Sequence, residues 1–279
     1  MYLIFLSVLA FILTLLFLYK LFSATNTNED NNILLNKIND SENSLDLFNN
    51  HASYRLGDGF YYNSHKVNWE YDKESPIHFR NKDISLYNYD EIYPDSILTE
   101  YLKLSNYTEN DWDTLIEIVN NKFYRDININ KSTDCLMHVR VGDVIDESCS
   151  GKHFLNKFYK NINKKVVNKS KFIRCHYIKP LKYFQQKIKK LIEMGITKVY
   201  LMAGSHIKLP SYKYSIYYIN KIVEEIEKAG ILVELKLGGY PDDDLLFSMN
   251  FDYFIPSEGQ YCRLIKELNQ NINPDFTII

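Results

Sequence analysis

Apolar positions in the second half of the chain follow two alternating rhythms. Residues 135–141 form a short, nearly unbroken apolar run, the pattern of a strand buried on both faces. A helix is then predicted from Pro180, a favoured first-turn residue, to a stop at Gly195. Its apolar stripe is Leu181, Phe184, Ile188, Leu191 and Ile192. A strand over 198–202 follows. The next helix carries Tyr218, Ile219, Ile222, Val223 and Ile226 and ends at Gly230. A strand over 231–237 leads into a Gly-Gly-Tyr-Pro turn. Then come a short helix over 243–249, a strand over 252–255 and a last helix over 258–269. Strands alternating with helices at this spacing predict an α/β fold: a Rossmann-like parallel sheet with helices on both faces, over residues 131–279.

Upstream the pattern is less regular. Residues 2–19 are uncharged and almost wholly apolar, and eighteen such residues just suffice to cross a hydrocarbon core. Nothing basic precedes the run except the amino terminus, and Phe22 sits badly for a cleavage site ending at Ala24. Residues 1–22 are therefore expected to be an uncleaved transmembrane signal anchor. Lys20 is the only nearby cation on its far flank, so membrane orientation is weakly specified. Residues 23–51 are polar and read as a stem. Residues 52–130 contain aromatic-rich runs, GFYYN and ISLYNY, and one plausible helix beginning near Asp111. They are expected to form a reduced N-terminal subdomain. Residues 146–171 read as a polar insertion after the first strand.

Composition narrows the function classes. A net charge of −2 argues against a nucleic-acid partner, which needs a basic excess. The 23 Tyr and the many Asn, Lys and Ile fit the codon bias of an AT-rich genome better than a tyrosine-specific role. The four cysteines, Cys135, Cys149, Cys175 and Cys262, match no zinc spacing. One or two disulfides are possible if the body lies in a secretory lumen, with Cys135 reading as a small core residue. Sequons at Asn39, Asn106, Asn130 and Asn168 are compatible with that compartment.

Three strand ends carry the candidate chemistry, and parallel strands bring them to one edge. The first is His138, Arg140 and Asp143, closing CLMHVRVGD at 135–143. Period-2 geometry puts His138 and Arg140 on one face. Arginine is shaped for a bidentate grip on phosphate, although a surface ion pair with Asp143 and a core His138 is the plain alternative. The second is Ser257-Glu258-Gly259-Gln260, where Ser257 with Gln260 fits a capping box and the helix N-terminus fits an anion. Arg263, one turn further, could reach that anion or pair with Glu267. The third is Pro241 to Asp244, whose acids suit a first helical turn and could reach a ribose, a guanine edge or a sugar hydroxyl. No Asp-x-Asp follows a strand end directly, so no metal is expected.

CLMHVRVGD resembles the first motif of the fucosyltransferase superfamily that includes α1,2-, α1,6- and protein O-fucosyltransferases, His-x-Arg-Arg-x-Asp after an apolar strand. FDYFIPSEGQYCRLIKEL, at 251–268, resembles its C-terminal motif. The resemblance spans about 135–268. It implies a GT-B-like fold of which 131–279 is the C-terminal half, with inverting transfer from a GDP-fucose donor to a glycan or protein acceptor and no metal. Carried over, Arg140 would neutralise the β-phosphate of the leaving group and act as the catalytic residue. His138 and Asp143 would orient it or touch the nucleotide. Ser257, Gly259 and Gln260 would hold the pyrophosphate, with Arg263 near the same anion and Asp244 near the nucleoside.

Two departures stand out. Val141 replaces the second arginine, as in one class of protein O-fucosyltransferases. The strand that usually ends in Thr-Asp ends here in Ala203-Gly204-Ser205. Asp146 and Glu147 are the nearest spare carboxylates, and neither is expected to serve as a base. The implied protein is a single-pass membrane glycosyltransferase with a lumenal body. Its rivals are a degenerate transferase acting as a binding module, a transferase with another nucleotide donor, and a structural membrane glycoprotein.

Overall fold

The computed structural model describes residues 56–63, 94–105, 111–147, 149, 152–160, 177–205, 209 and 211–279. The expected anchor at 1–22 and stem at 23–51 lie outside them, as do Asn39, Asn106, Asn168 and Cys175. Among the described residues, no helix is long and apolar enough to cross a membrane.

Five parallel strands form one sheet. They are β1 (Asp134–Arg140), β2 (Lys198–Gly204), β3 (Leu232–Leu237), β4 (Tyr253–Ile255) and β5 (Thr277–Ile278), in the order β3-β2-β1-β4-β5. The register places Arg140 beside Gly204 and Met137 beside Ile255. The sheet thus grows outward from β1 in both directions. Keeping one crossover hand while reversing direction sends the helices of the two halves to opposite faces.

That division is visible in the core. One face carries Cys135, Met137 and Val139 of β1 under α4 (Lys152–Lys160), α5 (Leu181–Glu193) and α6 (Lys213–Lys228). Phe158 and Phe184 meet the Tyr218 ring edge-on there, at 5.0 and 5.7 Å between centroids. The other face carries Leu136, Tyr200, Met202 and Phe254. It is covered by α1 (Leu56–Asn63), α2 (Ile97–Leu104), α3 (Trp112–Lys122), α7 (Pro241–Ser248) and α8 (Gln260–Ile272). Burial on both faces is why β1 reads as continuous rather than alternating. Each fully buried apolar side chain contributes roughly 1.5–3 kcal/mol against leaving it exposed.

The described parts of 52–130 share their core with the sheet: Phe60, Ile97 and Leu115 are buried with Phe254 and Leu264. These helices are stitched locally by caps. Asp111 accepts from Thr114 N at 3.0 Å, and Ser96 accepts from Thr99 N at 3.2 Å. Asp242 of α7 accepts from Ile97 N at 2.8 Å, tying α2 to the sheet half.

Several expectations change in detail. GFYYN belongs to α1 rather than to an isolated aromatic run. The polar insertion contains α4, whose short repeat of Phe154 and Phe158 is only two turns long. β5 is two residues long, too short for any period. Cys135 and Cys262 are buried thiols, whereas Cys149 is in a disulfide. Burial, above all, pushes the Cys262 thiol up to about 12.

Candidate functional site

β1 and β4 are neighbours from which the chain departs to opposite faces, so the crevice beyond their C-terminal ends is the topological switch point of the sheet. Ligands of open α/β sheets bind at such points. The first and second sequence motifs meet there. The His138 ring Nδ1 lies 2.7 Å from Ser257 Oγ, although 119 residues separate them. His138 is buried, and burial followed by the Arg140 charge lowers its pKa to about 3. The imidazole is therefore neutral at ordinary pH, and it holds the hydroxyl in place without adding charge.

Arg140 projects from the last position of β1, with its side chain 18% exposed. One guanidinium nitrogen donates to Asp143 Oδ1 at 2.9 Å, and the Asp143 side chain is wholly buried. The ion pair expected as the plain alternative is thus present. It also fixes the guanidinium at the strand end.

The capping box at Ser257 does not form. Helix α8 starts at Gln260 with Gly259 as its cap, and no side chain caps it. Gly259 has φ +100°, a turn that L side chains rarely adopt. The turn releases Ser257 to His138, and Gly259 has no side chain with which to cap the first-turn N–H groups of α8. The two flanks of this helix end differ. On one, Gly57 of α1 packs so tightly that a Cβ there would lie 2.6 Å from Tyr261 N. On the other, a Cβ on Gly259 would meet nothing within 4 Å among the described residues. An anion therefore has access from the Gly259 side.

Gln260 stands at the first position of α8 and is partly exposed. Arg263 points elsewhere. Its Nε donates to Glu267 Oε1 at 2.7 Å, and its guanidinium lies 4.3 Å from the Tyr61 ring centroid. Of the two roles weighed for Arg263, the Glu267 pair is the one formed.

The acids at 242–244 separate by role. Asp242 caps α2, as described above. Asp243 is exposed. Asp244 is 7% exposed, and no hydrogen bond or ion pair reaches its carboxylate among the described residues. Burial raises its pKa to about 7, with Lys236 opposing and Asp243 adding to the rise. Its carboxylate lies against the backbone of Gly239, where a Cβ would come within 2.3 Å of Oδ1.

Between Arg140 and Asp244 the described sheet edge carries small residues, Gly204 and Gly238. In register with Arg140 on the same face stands Gly204, and a Cβ there would meet only Gly238 backbone, at 3.9 Å. Two strand spacings, roughly 10 Å, separate β1 from β3 across this strip. Sequence reading treated Ala203-Gly204-Ser205 as a lost acid and missed that the glycine leaves room.

Tyr261 was also given no role. Its ring centroid lies 5.9 Å from that of His138, and its hydroxyl donates to Pro241 O at 2.6 Å. Burial first, then the Asp244, Asp242 and Asp243 carboxylates, keep its phenol protonated. The residue ties α7 to α8 across the crevice. An aromatic in the first turn after a strand was the available signal.

On the opposite flank, Tyr183 OH donates to Pro256 O at 2.7 Å and Lys179 pairs with Glu258, pinning the 256–258 turn from α5. Asp146 is spent on the N-terminus of α6, accepting from Tyr214 N at 2.7 Å and from Ser215. Among the described residues, no three His, Cys, Asp or Glu are grouped to hold a metal ion. Comparisons of the chain with protein-family models, with curated proteins and with solved structures each found no match.

Proposed function

We propose that this chain is a membrane-anchored glycosyltransferase of fucosyltransferase type, transferring fucose from GDP-fucose to a glycan or protein acceptor with inversion. The observation that carries the reading is the His138–Ser257 contact at the switch point. It joins the two motifs that carry the family resemblance at the sheet edge where nucleotides bind. The sheet body is the C-terminal half of a GT-B-like architecture. Residues 52–130 are its reduced N-terminal part, and 1–22 are the anchor that holds the body in the secretory lumen.

The acceptor hydroxyl attacks the anomeric carbon as the bond from that carbon to the diphosphate oxygen breaks. The leaving electron pair settles on GDP, and the hydroxyl proton passes to a base or to solvent. Arg140, oriented by Asp143, neutralises the charge that develops on the β-phosphate, which makes it the catalytic residue. Ser257, Gly259 and Gln260 present hydroxyl and backbone donors to the pyrophosphate at the end of α8. The Gly204–Gly238 strip accommodates the donor, and Asp244 faces its nucleoside or sugar hydroxyls. With Arg140 and the helix end supplying positive charge, the chemistry needs no metal. Arg263, committed to Glu267, lies outside this set.

Two observations favour a second reading, a degenerate transferase retained as a binding module. The β2 end lacks its usual acid, and Asp146 is spent on a cap. Calorimetric titration with GDP and GDP-fucose, together with an assay for GDP release, separates the two. Binding with turnover supports the enzyme, binding without turnover supports the module, and absence of binding sinks both.

A further inference from the structure

Charge is strongly segregated along this chain. Residues 148–192 hold thirteen of the 33 Lys and Arg and none of the 35 Asp and Glu. The remaining residues are correspondingly acidic, with 20 cations against 35 acids. A near-neutral total therefore conceals a concentrated basic segment, and an AT-rich codon bias that multiplies lysine does not remove acids.

The described part of this segment comprises α4, α5 and Lys179 just ahead of α5. Their apolar faces are spent on the core through Phe154, Phe158, Phe184, Ile188 and Leu191. What α5 leaves outside is Lys182, Lys189 and Lys190, strung along a helix about 20 Å long. A solvated helix face usually interleaves opposite charges at i,i+4. Here the only acid on α5 is Glu193, 3.9 Å from Lys189. Burial, and after it neighbouring ammonium groups, lowers the proton affinity of Lys157 and Lys187. The exposed face of α5 is thus predominantly cationic. It also adjoins the candidate crevice, because Lys179 pairs with Glu258, next to Ser257.

We infer that the α4–α5 face is a binding surface for an anionic glycan, sulfated or carboxylated, that delivers the acceptor to the crevice. The acceptor role rests on the proposed function, whereas polyanion binding does not. A membrane-docking helix sets its cations beside a continuous free apolar face; α4 and α5 spend theirs largely on the core but leave Leu155, Tyr159 and Ile192 exposed, so anionic vesicles are a comparator in the test.

The test uses the full chain and a fluorescent heparin-type oligosaccharide, with a neutral oligosaccharide of equal length, duplex DNA and phosphatidylserine vesicles as comparators. The sulfated oligosaccharide is expected to bind at least tenfold more tightly than each comparator and to weaken at least tenfold between 50 and 200 mM salt. The exposed triple variant Lys182→Glu/Lys189→Glu/Lys190→Glu should lose at least tenfold in that affinity, with its GDP affinity and circular dichroism unchanged. Binding no tighter than the neutral sugar overturns the inference, as does tighter binding to DNA or vesicles, or an unaffected triple variant. GDP titrated into the same samples reports on the proposed function separately. Loss of GDP binding with glycan binding intact removes only the acceptor role.

Discussion

His138 and Asp244 are two side chains whose protonation the fold moves far, and in opposite senses for stability. Asp244 rises from 3.8 to about 7, so the folded state binds a proton more readily than the unfolded one. Stability then falls as pH rises through that window, by roughly 4 kcal/mol in all. His138 falls from 6.5 to about 3, so the unfolded state takes the proton first and stability falls as pH drops below 6.5. Between about pH 4 and 6.5 the two slopes oppose each other. Strongly perturbed buried carboxylates tend to sit at functional sites, and Asp244 is such a group, which is why the proposed function places it near the ligand. Asp244→Asn should therefore be more stable than the wild type at pH 8, with the gain fading toward pH 4. Urea midpoints across that range check this, and equal midpoints at every pH would show that Asp244 is not strained.

At the scale of elements, the long helices and β1 to β4 were legible because Phe184, Ile188 and Leu191 repeat at helical spacing while β1 is apolar on both faces. The pairing of β1 with β4 was legible only as a direction, since nothing local in either segment encodes a contact across 119 residues. Ser257 was misread for a physical reason. Ser-x-x-Gln describes a capping box only if the chain enters the helix at the serine, and Gly259 delays entry by two residues. α1, α2 and α4 escaped notice because each is eight or nine residues long, too short for a repeat to rise above the polar background. The small-residue strip at Gly204 could be seen only once β1, β2 and β3 were in register. It yields an element-scale prediction. Gly204→Val places a β-favouring side chain at a strand end where, among the described residues, a Cβ meets only Gly238 backbone at 3.9 Å, so stability should change by no more than about 1 kcal/mol. GDP affinity should fall at least tenfold as the strip fills. Calorimetry beside a thermal melt reads both, and unchanged affinity would place the ligand elsewhere.

At the scale of the molecule, the sheet order, the switch point and the convergence of motifs at it make one argument. β1 is central, so its C-terminal end borders both directions of sheet growth, and its exit residues reach ligand chemistry from either side. In the proposed function Val141 stands where the resembled motif carries a second arginine, which leaves Arg140 as the one strand-end guanidinium for the phosphate, and Arg140 is also a partner of the buried Asp143. Removing Arg140 by itself would break its ion pair with the buried Asp143 and lower stability, confusing loss of fold with loss of function. The decisive measurement is therefore calorimetric titration of GDP into the full chain and into Arg140→Ala/Asp143→Asn, with folding verified by circular dichroism. The account predicts that the wild type binds GDP and that the folded double variant binds at least a hundredfold more weakly. A wild type that ignores GDP, or a double variant that binds it equally well, would contradict the account.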